Sequence, residues 1–323
     1  MAEVYVTCRV FPEELERLRA AGHTVEMRDV PGLISREKLL EKVSGAEALI
    51  CLLSDRIDAE VIKAAGKLRI IANLAVGYEN IDLAAAQAAG IVVTNTPGVL
   101  TEATADLTFA LLLAAARRVV EADAFVRSGA FYGWELLQPH LGLEVHGKTL
   151  GIVGMGRIGT AVARRGRLGF GMDVLYHDPH RNKPAEAELK AKYVSFEALL
   201  EKSDFVSIHT PLTRETRHLF DRQAFLRMKN TAILINVARG PVVDEKALVW
   251  ALETGQIAGA GIDVYEEEPK INPGLLKLQE HVVLVPHIGS ATSKTRRAMV
   301  RIAVDNVLAV LAGEAPLNPV SSS

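Results

Sequence analysis

Three polar groups follow directly on apolar, β-branched runs in the second half of the chain. They are Arg239 in "INVARGPVVD", the glutamate run Glu266–Glu267–Glu268 after "GIDVY", and His287 in "LVPHIGSAT". An arginine in such a place can fork onto a carboxylate and polarise a carbonyl. A histidine beside a carboxylate holds its proton more tightly and stays charged nearer neutral pH. Together these groups suit the reduction of a 2-oxo acid: a hydride donor attacks the carbonyl carbon while an imidazolium protonates the oxygen. Each residue alone has a plainer reading. Arg239 could be a surface arginine, although a buried-looking strand precedes it and Gly-Pro follows. His287, after Pro286, could be a loop histidine satisfied by backbone, and the three glutamates could be a solvated loop face. Their shared position at strand ends, where open α/β sheets take their ligands, favours one common site.

The hydride donor has its own signal. "GMGRIG", Gly154 to Gly159, matches G-x-G-x-x-G, follows the strand-like "TLGIV" and opens the helical "RIGTAVARRGRLG". Gly154 suits the tight turn, Gly156 the approach of backbone to a pyrophosphate, and Gly159 close helix–strand packing. The helix N-terminus adds unpaired N–H groups and the positive end of its dipole. Asp178 lies 19 residues beyond Gly159, where a carboxylate accepts from ribose hydroxyls and repels a 2′-phosphate. That favours NAD. Arg181 and Lys183 follow closely and could face a phosphate, so NADP stays open. Thr160 follows Gly159 without a preceding lysine, which argues against a nucleoside-triphosphate loop. No metal site is expected, since His177 and His180 stand near each other without further ligands.

These groups need a scaffold, and 323 residues is enough for two cores. The first half alternates strand patterns ("VYVTC", "TVEMRDV", "AEALICLL", "LRIIANLAV", "IVVTNTP") with helical ones such as "PEELERLRAAG" and "DAEVIKAAG". Such βα alternation implies a parallel sheet covered on both faces. Pro97–Gly98 punctuates the chain, and a long helix is expected from Thr101, whose hydroxyl suits an N-cap. A second series supplies six strands: "LGIVG", "DVLYHD", "DFVSIH", "AILINV", "GAGIDV" and "VVLVPH". A last helix, from about Ala291 to Ala312, has no strands of its own beyond it and is free to pack on the first domain; the tail "PLNPVSSS" is expected to fray. The net charge of −2 disfavours a nucleic-acid partner. The longest apolar stretch, "LTFALLLAAA", is too short to span a bilayer and reads as a buried helix. Two cysteines without a motif, Cys8 and Cys51, and a start that lacks a leader pattern point to the cytoplasm.

Six segments carry a family resemblance over nearly the whole chain: "NLAVGYENID", "TNTPGVLTEATADLTFALLLAAARR", "GKTLGIVGMGRIG", "NVARGPVVDEKALVWAL", "GAGIDVYEEEP" and "VPHIGSAT". They resemble the D-isomer-specific 2-hydroxyacid dehydrogenases. The resemblance implies an α/β fold of two Rossmann-like, doubly wound parallel-sheet domains with an active-site cleft between them. Residues 1–98 and 287–323 would form a discontinuous, flavodoxin-like substrate domain, and 99–286 the dinucleotide-binding domain with a dimerisation arm. By motif position, Arg239 binds substrate, His287 is the acid/base, and Glu268, next to Pro269, is its partner; Glu266 and Glu267 then revert to a solvated face. The cofactor contacts carried over are Thr104, Gly154, Met155, Gly156, Arg157, Ile158, Gly159, Asp178, Thr210, Pro211, Val237, Ala238, Arg239, Asp263, His287 and Gly289. Leu53 lines the substrate pocket, and the backbone around Val76 and Gly77 holds the substrate carboxylate together with Arg239 and His287.

The arm from about Thr101 to Val145 resembles a homodimer contact, with Trp134 either reaching a partner or buried in its own arm. Within the family the chain looks most like the glyoxylate/hydroxypyruvate reductases, through "LLSDRID", "ANLAVGYENID" and "TNTPGVLTEATADL". Phosphite dehydrogenases share "ADAFVRSG" but carry a lysine where this chain has Val76. Other members act on D-lactate, D-glycerate or phosphoglycerate, and the fold also resembles NADH-sensing corepressors.

Overall fold

The first parallel sheet is made of runs that are buried on both faces. In a computed structural model, which describes residues 1–320, the chain divides into two compact units, Met1–Leu100 together with the chain from Ala291 on, and Thr101–Ser290. The first unit contains β1 (Glu3–Val6), α1 (Pro12–Ala20), β2 (Thr24–Met27), α2 (Arg36–Val43) and β3 (Ala48–Cys51). It continues with α3 (Ala59–Ala64), β4 (Ile70–Asn73), α4 (Leu83–Ala88) and β5 (Val92–Thr94). The strands pair in parallel in the order β2-β1-β3-β4-β5. "ALIC" and "IIAN", in β3 and β4, are wholly buried, as central strands with helices on both sides must be. Side-chain caps start the helices: Ser35 for α2, Asp58 for α3 and Asp82 for α4 each accept from N–H groups of the first turn.

The last helix completes this unit. It spans Ser293–Leu311 and lays Val300, Ala303, Val304, Val307 and Val310 onto Val4, Val6, Ile50 and Ile70 of the sheet. Each such valine, fully buried, contributes roughly 1.5–3 kcal/mol. Arg301 adds a two-pronged pair to Glu14 of α1 at 2.7 and 2.8 Å. The tail after this helix does not fray as expected. Val320 N–H donates to Val93 O at 2.8 Å, and Asn95 N–H donates to Asn318 O at 3.3 Å. The buried Asn306 side chain accepts from the N–H groups of Leu317 and Asn318, each at 2.9 Å. Residues 316–320 thereby cover the open edge of β5; residues 321–323 lie outside the described chain.

The second unit opens with α5 (Thr101–Ala116) and α6 (Val119–Arg127). Then come β6 (Thr149–Val153), α7 (Arg157–Arg164), β7 (Asp173–His177), α8 (Lys183–Leu189) and β8 (Lys192–Tyr193). The series goes on with α9 (Phe196–Lys202), β9 (Phe205–Ile208), α10 (Arg222–Arg227), β10 (Ile233–Asn236) and α11 (Glu245–Glu253). It closes with β11 (Gly259–Ile262), α12 (Pro273–Lys277) and β12 (Val282–Leu284); the helix of the first unit that follows is α13. The parallel sheet runs β12-β11-β10-β9-β6-β7-β8. It has seven strands where six were expected, because β8 adds two residues beside Leu175 and Tyr176 of β7, too few to show an alternation.

Alternate side chains build a core on each face. Ile152, Ile233 and Ile235 join Leu112 of α5 and Val162 of α7, while Val153, Leu234 and Ile262 join Phe225 of α10 and Leu248 of α11. Within the apolar stretch at 107–116, α5 buries Thr108, Phe109, Leu111, Leu112, Ala115 and Ala116, whereas Ala110 is exposed. Thr101 is the first helical residue rather than the cap. No helix among the described residues is long and apolar enough to cross a membrane.

Candidate active site

The loops after β6, β7, β9, β10, β11 and β12 leave the sheet of the second unit at its C-terminal edge. Gly154 turns the chain out of β6 with φ 95°, a left-handed conformation, and a Cβ there would lie 2.7 Å from the carbonyl carbon and oxygen of His209. A Cβ on Gly159 would run into the Gly154 carbonyl oxygen. Gly156 differs: it caps α7, no side chain caps that helix, and a Cβ there would meet nothing within 4 Å. The first N–H groups of α7 therefore face open space at the position through which a phosphate backbone would approach.

Asp178 stands beside this turn just after β7. Its Oδ2 accepts from Met155 N–H at 2.8 Å and its Oδ1 from His180 N–H at 2.9 Å. Arg181 is taken up by Glu186, at 3.0 and 2.8 Å, and lies over the Tyr193 ring. After β9, Thr210 Oγ1 is buried without a hydrogen-bond partner against the Gly154 turn. An orphaned hydroxyl, an uncapped helix start and an open glycine together fit a dinucleotide at this edge. Beside them His209 is half-buried, and the burial of its ring pushes its pKa down to about 3 and leaves it neutral; its Nε2 pairs with Ser207 Oγ at 2.8 Å.

The second cluster is built on Asp263, which follows β11 and is fully buried. Its carboxylate accepts from Ile288 N–H at 2.6 Å and Gly289 N–H at 2.9 Å, and its carbonyl accepts from His287 N–H at 2.9 Å. The loop after β12 is thus pinned to the end of β11, with His287 in a left-handed conformation at φ 52°. Thr104 of α5 donates from Oγ1 to Gly289 O at 3.2 Å on the other side. Burial raises Asp263 to about 6, against the pull of the two N–H groups and of His287.

Glu268 reaches this loop from β11. Its Oε2 lies 2.8 Å from His287 Nδ1, and its Oε1 accepts from Tyr265 N–H at 3.0 Å. Burial alone would raise its pKa; the bond from His287, the His287 charge, the Tyr265 N–H and the charge of Arg239 outweigh this and hold it below the ordinary 4.5. With the carboxylate on Nδ1, Nε2 is the nitrogen left to exchange a proton.

Arg239 enters from β10. Asn236 sets its backbone, donating from Nδ2 to Arg239 O at 3.0 Å and accepting from Ala238 N–H at 3.1 Å. Arg239 Nη1 donates to Ala238 O at 2.6 Å, while Val237 and Ala238 are buried beneath. A Cβ on Gly240 would run into the Tyr265 carbonyl, so the arginine loop is packed against the chain leading to Glu268. Pro211 holds Thr216 through its carbonyl at 2.7 Å. Leu53, Val76 and Gly77 belong to the first unit, in the loops after β3 and β4. Among the described residues no cluster of His, Cys, Asp and Glu could hold a metal ion.

A model of the D-isomer specific 2-hydroxyacid dehydrogenase family, NAD binding domain, matches residues 109–289. The chain belongs to this family. A glyoxylate reductase of Thermococcus litoralis is 51% identical over 323 residues, 99% of this chain and 96% of that protein. A solved Thermus thermophilus protein has 49% identity and a TM-score of 0.92, over 98% of this chain and 99% of that one. An NADPH-dependent glyoxylate/hydroxypyruvate reductase from Sinorhizobium meliloti, solved with NADP and malonate, has 34% identity and a TM-score of 0.85, over 99% and 96%. The matched stretch lies inside the second unit, which is therefore the NAD binding domain of an NAD(P)-dependent dehydrogenase.

Within this dehydrogenase the glutamate run divides differently from the sequence reading. Glu267 is exposed. Glu266 is not a solvated bystander: its Oε1 lies 2.6 Å from His218 Nε2, and its Oε2 accepts from Glu245 N–H at 3.2 Å. In return Glu266 N–H donates to Glu245 Oε1 at 2.7 Å, which fastens the loop to the first turn of α11. Burial raises Glu245, with Glu266 and Glu267 adding to the effect and the Glu266 N–H opposing it. His218 and Glu245 were not read as site residues, since nothing local marks them; only the fold brings them to the run. Trp134 is 78% exposed, so it is not buried in its own arm.

Proposed function

We propose that this dehydrogenase reduces glyoxylate, and hydroxypyruvate as a second substrate, to the 2-hydroxy acid, with NADH preferred to NADPH. The observation that carries the reading is the 2.8 Å pair between His287 Nδ1 and Glu268 Oε2, whose carboxylate also feels the Arg239 charge. When bound, a reduced nicotinamide supplies the hydride. Arg239 grips the substrate carboxylate and draws charge from its carbonyl. His287 Nε2 gives the proton to the carbonyl oxygen, while Glu268 holds the ring through Nδ1 and balances its charge. The backbone around Val76 and Gly77 also takes the carboxylate, and Leu53 limits the length of the acid.

The substrate class follows the relatives named glyoxylate reductase. The cofactor preference rests on Asp178 at the ribose position and on Arg181, which is already paired with Glu186 and so withdrawn from a 2′-phosphate. Turnover of a 2-oxo acid panel with NADH and NADPH in parallel tests all three parts. Arg239→Ala and His287→Ala are expected to lower kcat/KM by about 10²–10⁴-fold; undiminished turnover in both would sink the mechanism. We also assign the arm to a homodimer, because Phe131, Tyr132, Trp134, Leu136, Leu137 and Leu141 are all exposed. Sedimentation at micromolar concentration should show a dimer that Trp134→Ser with Leu137→Ser weakens; a monomer at every concentration would contradict it.

A further inference from the structure

The first unit holds a chain of side-chain amides that the proposed chemistry does not use. Asn80 donates from Nδ2 to two carbonyls of the loop after β3, Leu52 O and Asp55 O, each at 3.0 Å. Its Oδ1 accepts from Asn73 Nδ2 at 3.3 Å. Asn73, fully buried at the end of β4, also donates to Gly77 O at 2.8 Å, in the loop after β4. Asn95, just past β5, donates to Val76 O at 2.7 Å. Three neighbouring strand ends are therefore tied by amides that hold backbone carbonyls. Among the described residues, no hydrogen bond within the chain takes the N–H of Val76 or of Gly77. The Ala75 carbonyl, held by Thr96 N–H at 2.9 Å, and the Val76 carbonyl, held by Asn95, belong to the peptides that carry these two N–H groups, so the donors point away from those partners, which is the arrangement a carboxylate needs.

We propose that Asn80, acting through Asn73, is the positioning residue that sets the Leu53 loop against the Val76–Gly77 donors and so fits the enzyme to short 2-oxo acids. This rests on the assignment of those two loops to the substrate. A folding role alone would have been met by apolar packing at a fully buried strand end. A chain of amides satisfied along its length instead fixes one geometry.

The test is steady-state kinetics on Asn80→Asp, nearly the same shape with the donors removed, and on Asn80→Ser, which is too short to reach both carbonyls. The expected result is a rise in KM for glyoxylate of about 5- to 150-fold, the range for two lost hydrogen bonds. The preference for glyoxylate over a longer 2-oxo acid should fall with it. In the same preparations kcat and the Kd for NADH, read by fluorescence, should stay within about twofold, since the cofactor loops belong to the other unit. A KM unchanged in folded variants overturns the proposal. Parallel losses in NADH affinity, kcat and melting temperature overturn it as well, and so does failure of both variants to fold, because Asn80 would then hold the unit rather than the loops. Absence of glyoxylate turnover in the unaltered enzyme would instead remove the proposed function itself.

Discussion

Replacing Glu268 by Gln keeps the shape of the side chain and removes its charge. In the structure Glu268 meets His287 at 2.8 Å, with the two side chains 35% and 38% exposed. A hydrogen bond to a charged group contributes about 1.5–3 kcal/mol. At this exposure solvent screens part of it, so the lower end, about 1.5 kcal/mol, is the better figure. The carboxyl of Glu268 lies below its usual value partly because His287 favours its ionised form. The contact holds the ring that gives its proton to the carbonyl oxygen, and about 1.4 kcal/mol corresponds to a factor of ten in rate. In Glu268→Gln kcat/KM for reduction should therefore drop about tenfold. The assay is kcat/KM for glyoxylate at saturating NADH, with Glu267→Gln as control. Glu266 would be a poor control, because it also holds His218 and Glu245. An unchanged kcat/KM in Glu268→Gln, or an equal drop in Glu267→Gln, would refute the assignment of the pair.

Two further outcomes separate folding from binding. Gly156→Ala should leave the melting temperature within a degree or two yet weaken NADH binding at least about tenfold, since the new methyl meets no protein atom; Gly159→Ala should lower both, because its methyl runs into the Gly154 carbonyl. If NADH titration and thermal melts show the two variants alike, the glycine-rich turn has been misread. Asp263, raised to about 6 from 3.8 by burial, contributes stability that is fully present below pH 3.8 and is lost as the pH rises through about 6. Compared with Asp263→Asn, the unaltered protein should therefore hold its largest advantage near pH 4 and lose up to about 3 kcal/mol of it by pH 7. Denaturant unfolding at the two pH values measures this, and an advantage that grows with pH would contradict the burial argument.

What was legible in the sequence was whatever repeats or stands beside its neighbours. Runs such as "IIAN" and "AILIN" are buried on both faces and carry their strand identity locally. The glycine spacing of the cofactor turn is equally local. Glu268 was separable from its neighbours only through the family motif, because three adjacent glutamates have the same composition. The role of Glu266 was out of reach: its partners lie 48 and 21 residues away, and neither His218 nor Glu245 stands in a pattern of its own. The asparagines of the first unit are hidden for the same reason, since an amide declares its role only by the carbonyls it reaches. The tail was misjudged on composition. "PLNPV" looks like loose chain until the open edge of β5 and the Asn306 side chain are there to take it. β8, at two residues, is too short to leave any periodicity.

The route of the chain through the first unit bears on how the protein is made. Its sheet is translated first, but α13, the helix that covers Val4, Val6, Ile50 and Ile70, is translated last. About 190 residues of the other unit come between. At 5–20 residues per second, the ribosome needs roughly 10–40 s to cross that gap. For all of that time one apolar face of the nascent sheet has only α1, through Leu15 and Leu18, to cover it, while the second unit, continuous in the chain, can already close. The first unit synthesised is thus the last to be finished, and the interval is a window for chaperone capture. A stop codon before residue 291 would make that interval permanent.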